Sequence, residues 1–218
     1  MIPTLINVIL DESGSMGIKR SDVIHGFNTF LSEQKAQPGE CRLTLVKFNT
    51  EKTVVHAALP IGDVRPFTEK DYVPGGNTAL LDAVAEAVRL ADKDKRGDER
   101  VLCLIITDGE ENSSRETTKE QVSKIIKERE GRGDWTFTYL GISPEKWAER
   151  GLTTSAGNTA AYNAQNPTQS FMAASAGAST LRASSARRTA DFYSPPPTPQ
   201  PVTPQPDRPA DPWKKPHA

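Results

Sequence analysis

An open, doubly wound α/β sheet is the fold this sequence predicts: six strands, mostly parallel, with one antiparallel edge strand and helices on both faces. Three observations carry the expectation. Two apolar runs, Leu5-Ile6-Asn7-Val8-Ile9-Leu10 and Leu104-Ile105-Ile106, end abruptly in turns that contain Asp, as buried strands do. Between such runs lie segments with apolar residues at helical spacing, so strand and helix alternate along the chain. One gap breaks the alternation. Asn49-Thr50-Glu51 is too short for a crossover helix, so the strand that follows has to return antiparallel.

The elements follow in order. After the first strand, Ser21 or Asp22 is expected to cap a helix with Val23, Ile24, Phe27, Phe30 and Leu31 on one face, ended by Pro38-Gly39. Cys41 to Phe48 alternates as a strand and Thr53 to Leu59 pairs back on it. A loop with Pro60, Pro66 and Pro74 leads to Gly75-Gly76-Asn77-Thr78, and Leu80, Leu81, Val84, Ala87, Val88 and Ala91 then form a helical stripe. The charge run Asp92 to Asp98 reads as a solvated loop. Arg100 to Thr107 is the second central strand, and Thr118 with Gln121 makes a capping box for the next helix. Trp135 to Leu140 is a strand of alternating aromatics and threonines. Pro144 opens a short helix with Trp147, and Thr159 to Asn163 is a last edge strand. Asn166-Pro167 starts a small-residue helix that runs toward Arg187-Arg188. Residues 1–188 are expected to form one domain. Residues 189–218 are expected to be an extended Pro-rich tail, because ten of the last 28 residues are proline. Its Pro-Pro-Pro-Thr-Pro run is a possible ligand for a proline-reading domain.

Composition narrows the function. The chain has 218 residues and a formal net charge of −1, so nothing favours nucleic acid or an anionic membrane as partner. Cys41 and Cys103 fall inside strands without metal-ligand spacing and are expected to be reduced core thiols. The N-terminal apolar run is too short for a secretion signal and no stretch is long enough to span a membrane, so the expected location is the cytoplasm.

The chemistry gathers where the central strands end. Asp11-Glu12-Ser13-Gly14-Ser15 places a carboxylate and two hydroxyls in one tight turn, at the end of an α/β strand where ligands bind. Thr78 opens the helix after the Gly-Gly turn, and Thr107-Asp108-Gly109 ends the second central strand. Oxygen donors without sulfur or imidazole suit a hard cation, Mg²⁺ foremost, with Mn²⁺ or Ca²⁺ as substitutes.

The set Asp11, Ser13, Ser15, Thr78 and Asp108 resembles the complete metal-ion-dependent adhesion site, or MIDAS, of von Willebrand factor type A domains, whose sheet is Rossmann-like. The resemblance covers the whole chain except the tail. It implies that Ser13, Ser15 and Thr78 offer hydroxyls to an Mg²⁺ or Mn²⁺ ion while Asp11 and Asp108 anchor it directly or through water. It further implies that a Glu or Asp of another protein completes the metal shell. Glu12, Met16, Asn77 and Glu110, beside the ligand set, are the candidates to touch such a partner. Among family members the chain is similar to stand-alone cytosolic proteins of bacteria and phages, those resembling the tellurite-resistance family included.

Other readings of the same residues are weaker. A phosphoryl-transfer or hydrolytic enzyme would need a nucleophile with its acid or base, yet the chain has no D-x-D, Walker or G-x-S-x-G pattern. His25, His56 and His217 show no triad spacing, so the chain is not expected to be an enzyme. A structural role, with the metal only ordering the loops, is the third possibility. Asp82 is expected to serve the positive end of its helix rather than the metal. The triplets Arg96-Gly97-Asp98 and Arg132-Gly133-Asp134 are read as charged loop residues, not as recognition motifs.

Overall fold

The first apolar run forms β1 (Thr4–Asp11), with all eight residues buried. Such a strand needs cover on both faces, and the rest of the chain supplies it. The computed structural model describes residues 1–149, 151–153 and 155–193. Its further strands are β2 (Cys41–Phe48), β3 (Lys52–Pro60), β4 (Arg100–Ile106), β5 (Trp135–Gly141) and β6 (Thr159–Ala161). They form one six-stranded sheet in the order β3-β2-β1-β4-β5-β6. All neighbours pair parallel except β2 and β3, which pair antiparallel as the short Asn49–Glu51 turn demands.

Successive strand residues face opposite layers. Ile6, Val8, Leu10, Leu43, Leu45, Leu102 and Leu104 pack under α1 (Arg20–Ala36) and α5 (Pro167–Ala183). Leu5, Ile9, Val101, Cys103, Ile105 and Trp135 pack under α2 (Leu80–Asp94) and α3 (Lys119–Gly131), and α4 (Pro144–Glu149) adds Trp147 to this side. Asn7 interrupts β1 for a reason. Its buried amide donates to the Ala87 carbonyl of α2 at 2.8 Å, tying that helix to the central strand. Helices α1 and α5 approach closely at Gly26, where a Cβ would come within 2.5 Å of the Phe171 ring. Cys41 and Cys103 are buried free thiols.

Local sequence accounts for most element ends. Thr118 and Gln121 form the reciprocal capping box that opens α3. Asn166 caps α5 by accepting from the Gln169 amide, with Pro167 at the first helical position. Ser21 and Asp22, expected as caps, lie inside α1 instead. A 3-10 turn, Gly14–Lys19, runs straight into that helix, and the Arg20 amide is already bonded to the Gly17 carbonyl. Strand β6 stops at Ala161, two residues short of its expected end.

Past α5 the packed body extends further than the expected boundary at residue 188. The helix stops at Ala183, and the next residues form a strap clamped by Arg100. That fully buried guanidinium donates to the carbonyls of Arg182 at 2.9 Å, Ser184 at 3.3 Å and Ala186 at 2.5 Å. Phe192 then joins the core, 4% exposed, against the bare Cα of Gly177. The Pro-rich stretch from residue 194 onward, including the segment read as a ligand for a proline-reading domain, lies outside the described residues.

Phe192→Ala tests the strap. Removing a buried phenyl ring costs about 3–5 kcal/mol in well-packed cores. Urea denaturation is expected to show a loss of at least about 2 kcal/mol; an unchanged midpoint would mean that the strap is not part of the core.

Candidate metal centre

Strand β1 pairs with β2 on one side and β4 on the other, so the strand order reverses between β1 and β4. Ligands of open α/β sheets bind in the crevice outside the strand ends at this reversal. The β1–β4 register continues one step past Leu10 and Ile106, bringing Asp11 beside Thr107. The Thr107 hydroxyl donates to Asp11 Oδ2 at 2.5 Å, and the Ser13 amide donates to Asp11 Oδ1 at 2.7 Å. Ser13 Oγ lies 3.2 Å from Ser15 Oγ, and the Ser15 hydroxyl donates to Asp108 Oδ1 at 2.5 Å. Thr78 arrives from the α2 side. A Cβ built on Gly109 would sit 2.9 Å from Thr78 Oγ1 and 3.5 Å from Asp11 Oδ2, so both oxygens border a space that exists because residue 109 has no side chain. All five residues singled out in the sequence therefore meet at one place.

Three loops are bolted together to hold them. The Gly75 amide donates to the Glu12 carbonyl and the Gly14 amide to the Gly76 carbonyl, at 2.9 and 3.1 Å. Gly76 takes a φ of +73°, open to glycine at little cost, and a Cβ there would also meet Thr50 Oγ1 at 2.7 Å. Asn112 locks Thr78 from both sides: its Oδ1 accepts from the Thr78 amide at 2.9 Å, and its own amide donates to the Thr78 carbonyl at 3.1 Å. Glu111 accepts from the Leu81 amide at 2.9 Å, a carboxylate at the positive end of α2. Tyr72 donates its hydroxyl to the Asp11 carbonyl at 2.6 Å.

Neighbours of the ligand set divide into exposed and committed residues. Asn77 is exposed, and Glu110 is half exposed in an ion pair with Lys146 at 2.8 Å. Met16, expected to face a partner, is 2% exposed and belongs to the core under α1. Glu12, also expected at the surface, is 8% exposed, pairs with Lys47 at 2.7 Å and accepts from the Val73 amide. Its role is to hold the Val73–Gly75 loop. Asp82 does not serve its own helix end. It accepts from the amides of Arg115, Glu116 and Thr117, fixing the loop before α3. In the two Arg-Gly-Asp triplets, Arg96 is paired with Glu40 and Asp134 with Lys95. Thr107, Tyr72 and Asn112 are the contributors that sequence reasoning missed. Only Thr107 had a local signal, its place directly before Asp108.

The electrostatics favour a cation. No basic side chain bonds to Asp11 or Asp108 among the described residues. Burial pushes the Asp11 carboxyl up from 3.8 to about 6, and the charge of Asp108 adds to the push against the hydrogen bonds from Thr107 and Ser13. Burial raises Asp108 as well. No group of three His, Cys, Asp or Glu side chains gathers for a metal among the described residues, so an ion here would rest on two carboxylates and on hydroxyls. That donor set fits Mg²⁺ or Mn²⁺.

A raised carboxyl favours the folded state while protonated, and the advantage fades as pH rises from 3.8 toward 6. At about 1.4 kcal/mol per pKa unit, the metal-free protein is expected to lose ~3 kcal/mol from this group over that window. Denaturation in chelator across the window, wild type against Asp11→Asn, checks it: the variant should lack this component. Identical pH profiles would contradict the assigned burial.

Comparison with known proteins agrees with the fold. The von Willebrand factor type A domain family matches residues 6–174. No curated protein matches the sequence. Among solved structures, proximal thread matrix protein 1 from the mussel byssus, in a form with a zinc-occupied MIDAS motif, superposes with a TM-score of 0.56 at 14% identity, covering 79% of this chain and 46% of that one. The pilus adhesin SpaC of Lactobacillus rhamnosus GG gives 0.61 at 14%, covering 80% and 30%. A von Willebrand factor type A protein of Catenulispora acidiphila gives 0.55 at 18%, covering 82% and 43%. This chain thus spans less than half the length of each, and likenesses at such low identity concern the fold.

Proposed function

The chain belongs to the von Willebrand factor type A domain family, and from that premise we propose that it is a divalent-metal-dependent protein-binding module. Asp11, Ser13, Ser15, Thr78 and Asp108 would hold an Mg²⁺ or Mn²⁺ ion, and a Glu or Asp of a partner protein would bind to it. The observation that carries this reading is the meeting of those five side chains at the β1–β4 reversal, with no basic group paired to either carboxylate among the described residues. A bound ion supplies an electrophilic position open to a carboxylate oxygen.

The rest of the work falls to the chain itself. Asp11 and Asp108 bring two negative charges, enough to balance a dication, while neutral hydroxyls add donors without further charge. Thr107 and the Ser13 amide orient Asp11, and Tyr72 and Asn112 fix the backbone on either side. The zinc-occupied MIDAS of the mussel protein is a precedent for metal in this fold. We place the protein in the cytoplasm, in keeping with its two free thiols, and read it as a binding module rather than an enzyme. The similarity to stand-alone bacterial and phage members, tellurite-resistance relatives among them, belongs to the same proposal. No helix among the described residues is long and apolar enough to cross a membrane.

Calorimetric titration with Mg²⁺ and Mn²⁺ tests the site. Wild type should bind one ion saturably, and Thr78→Val and Asp108→Ala should each lose at least about tenfold in affinity, or ~1.4 kcal/mol, with little change in melting temperature. Partner capture should disappear in chelator. Equal titration curves for all three proteins would refute the metal site.

A further inference from the structure

Six large apolar side chains stand exposed among the described residues, and three of them share one edge of the sheet. Ile18 (86% exposed), Val73 (60%) and Ile142 (44%) lie on the segments that follow β1, precede α2 and follow β5. The other three, Met1, Val54 and Met172, stand before β1, on the edge strand β3 and on α5. A single exposed apolar residue is ordinary on a protein surface. Three gathered around one cluster of polar side chains mark a contact surface.

Each of the three borders the carboxylate–hydroxyl cluster. Ile18 lines a small cleft together with Ser15 and Asp108. A Cβ built on Gly17 would lie 3.6 Å from the Pro74 Cβ, so the Val73-Pro74 loop abuts the turn that carries Ile18. Toward the other side, β4 and β5 pair Ile106 with Leu140, and the Thr107 amide still donates to the Leu140 carbonyl at 3.0 Å. Two residues past Leu140, Ile142 therefore emerges beside Asp108. Charged neighbours stand among them. Lys19 lines the same cleft as Ile18 and is paired loosely with Asp22 at 3.9 Å, and Glu110 is paired with Lys146.

We propose that Ile18, Val73 and Ile142 form an apolar collar around the metal centre, and that its occupant is a protein segment in which apolar residues bracket the metal-binding Glu or Asp. The inference rests on the metal-dependent capture proposed above. A partner whose carboxylate oxygen reaches the ion has to lie over this edge, so the residues on either side of its acid meet the collar. The collar also answers an energetic need. A carboxylate and a cation attract each other weakly in water and more strongly where water is excluded. Apolar contacts that surround a polar anchor exclude that water. Lys19 adds a positive charge that favours the approach of an acidic segment. A segment with polar residues beside its acid would leave the anchor wet and the three apolar side chains uncovered.

Bead-bound peptides Gly-Leu-Glu-Leu-Gly, Gly-Ser-Glu-Ser-Gly and Gly-Leu-Gln-Leu-Gly test this against the labelled full-length protein in Mg²⁺ and in chelator. Wild type should favour the first over the second by about tenfold, less than the burial of two leucine side chains can supply, and should not retain the third. Ile18→Ser and Ile142→Ser should each cut that preference at least about threefold. Mg²⁺ uptake and melting temperature should stay level in both, because neither side chain belongs to the core. Met172→Ser, on α5, should leave the preference unchanged. Equal capture of the two Glu peptides in Mg²⁺, or a preference that survives in both Ser variants, would overturn the collar and leave the metal reading standing. Retention of the Gln peptide as strongly as its Glu counterpart, or no Mg²⁺-dependent capture of either Glu peptide, would overturn both.

Discussion

The parallel pairing of β1 with β4 is the constraint on which the rest depends. Strands that leave a sheet in the same direction deliver their C-terminal residues to the same edge, and reversal of strand order there keeps the crossover helices from covering the gap. Asp11 and the Thr107-Asp108-Gly109 turn come together for that reason alone, although almost a hundred residues separate them. The apolar alternation that fixes the register, Leu5 and Ile9 to one layer and Ile6, Val8 and Leu10 to the other, thereby also fixes the site. A slip of one residue would turn each of those side chains to the wrong face. Core packing and site geometry are one specification.

Two carboxylates at a buried edge are costly unless something is arranged for them. Here the offset comes from neutral donors: a threonine hydroxyl and a backbone amide to Asp11, and a serine hydroxyl to Asp108. Basic side chains nearby are employed elsewhere, as Lys47 is with Glu12 and Lys146 with Glu110. Hydroxyls can turn from donating toward a carboxylate to presenting a lone pair, which ammonium and guanidinium groups cannot do. The same hydroxyls can thus serve a carboxylate as donors and a cation as ligands.

Much of this was legible in the sequence. The strand order of polar turns after apolar runs, the three-residue gap before β3 and the Thr118–Gln121 box each have a local cause, and each appears where that cause puts it. The five oxygen-bearing residues were visible as three short motifs. Tertiary partners were less legible. Nothing local announces that Glu12 finds Lys47, that Asp82 gathers three amides from a loop more than thirty residues away, or that Met16 turns inward. The end of the packed body was misplaced for a similar reason. Proline content marks where a core cannot form, but the two aromatics just before it are held by Gly177, Gly157 and the strap that Arg100 clamps.

Asn7 has a consequence for motion. An α-helix lying on a sheet is usually free to creep along its axis, because apolar contacts exchange for one another with little loss. The amide of Asn7 grips a single carbonyl of α2, and a shift of even a fraction of a turn would leave that group unpaired in a dry interior. Longitudinal play in α2 is therefore removed near its middle, two turns from the end where Thr78 is carried. Helices α1 and α5, which meet through Gly26 and Phe171, are held near one end instead: Arg100 of β4 donates to the Arg182 carbonyl of α5, and Arg182 donates to the Gln34 carbonyl of α1. The threonine arm of the centre is thus carried by a helix anchored at its middle, while the helices of the opposite face are anchored toward their C-terminal ends.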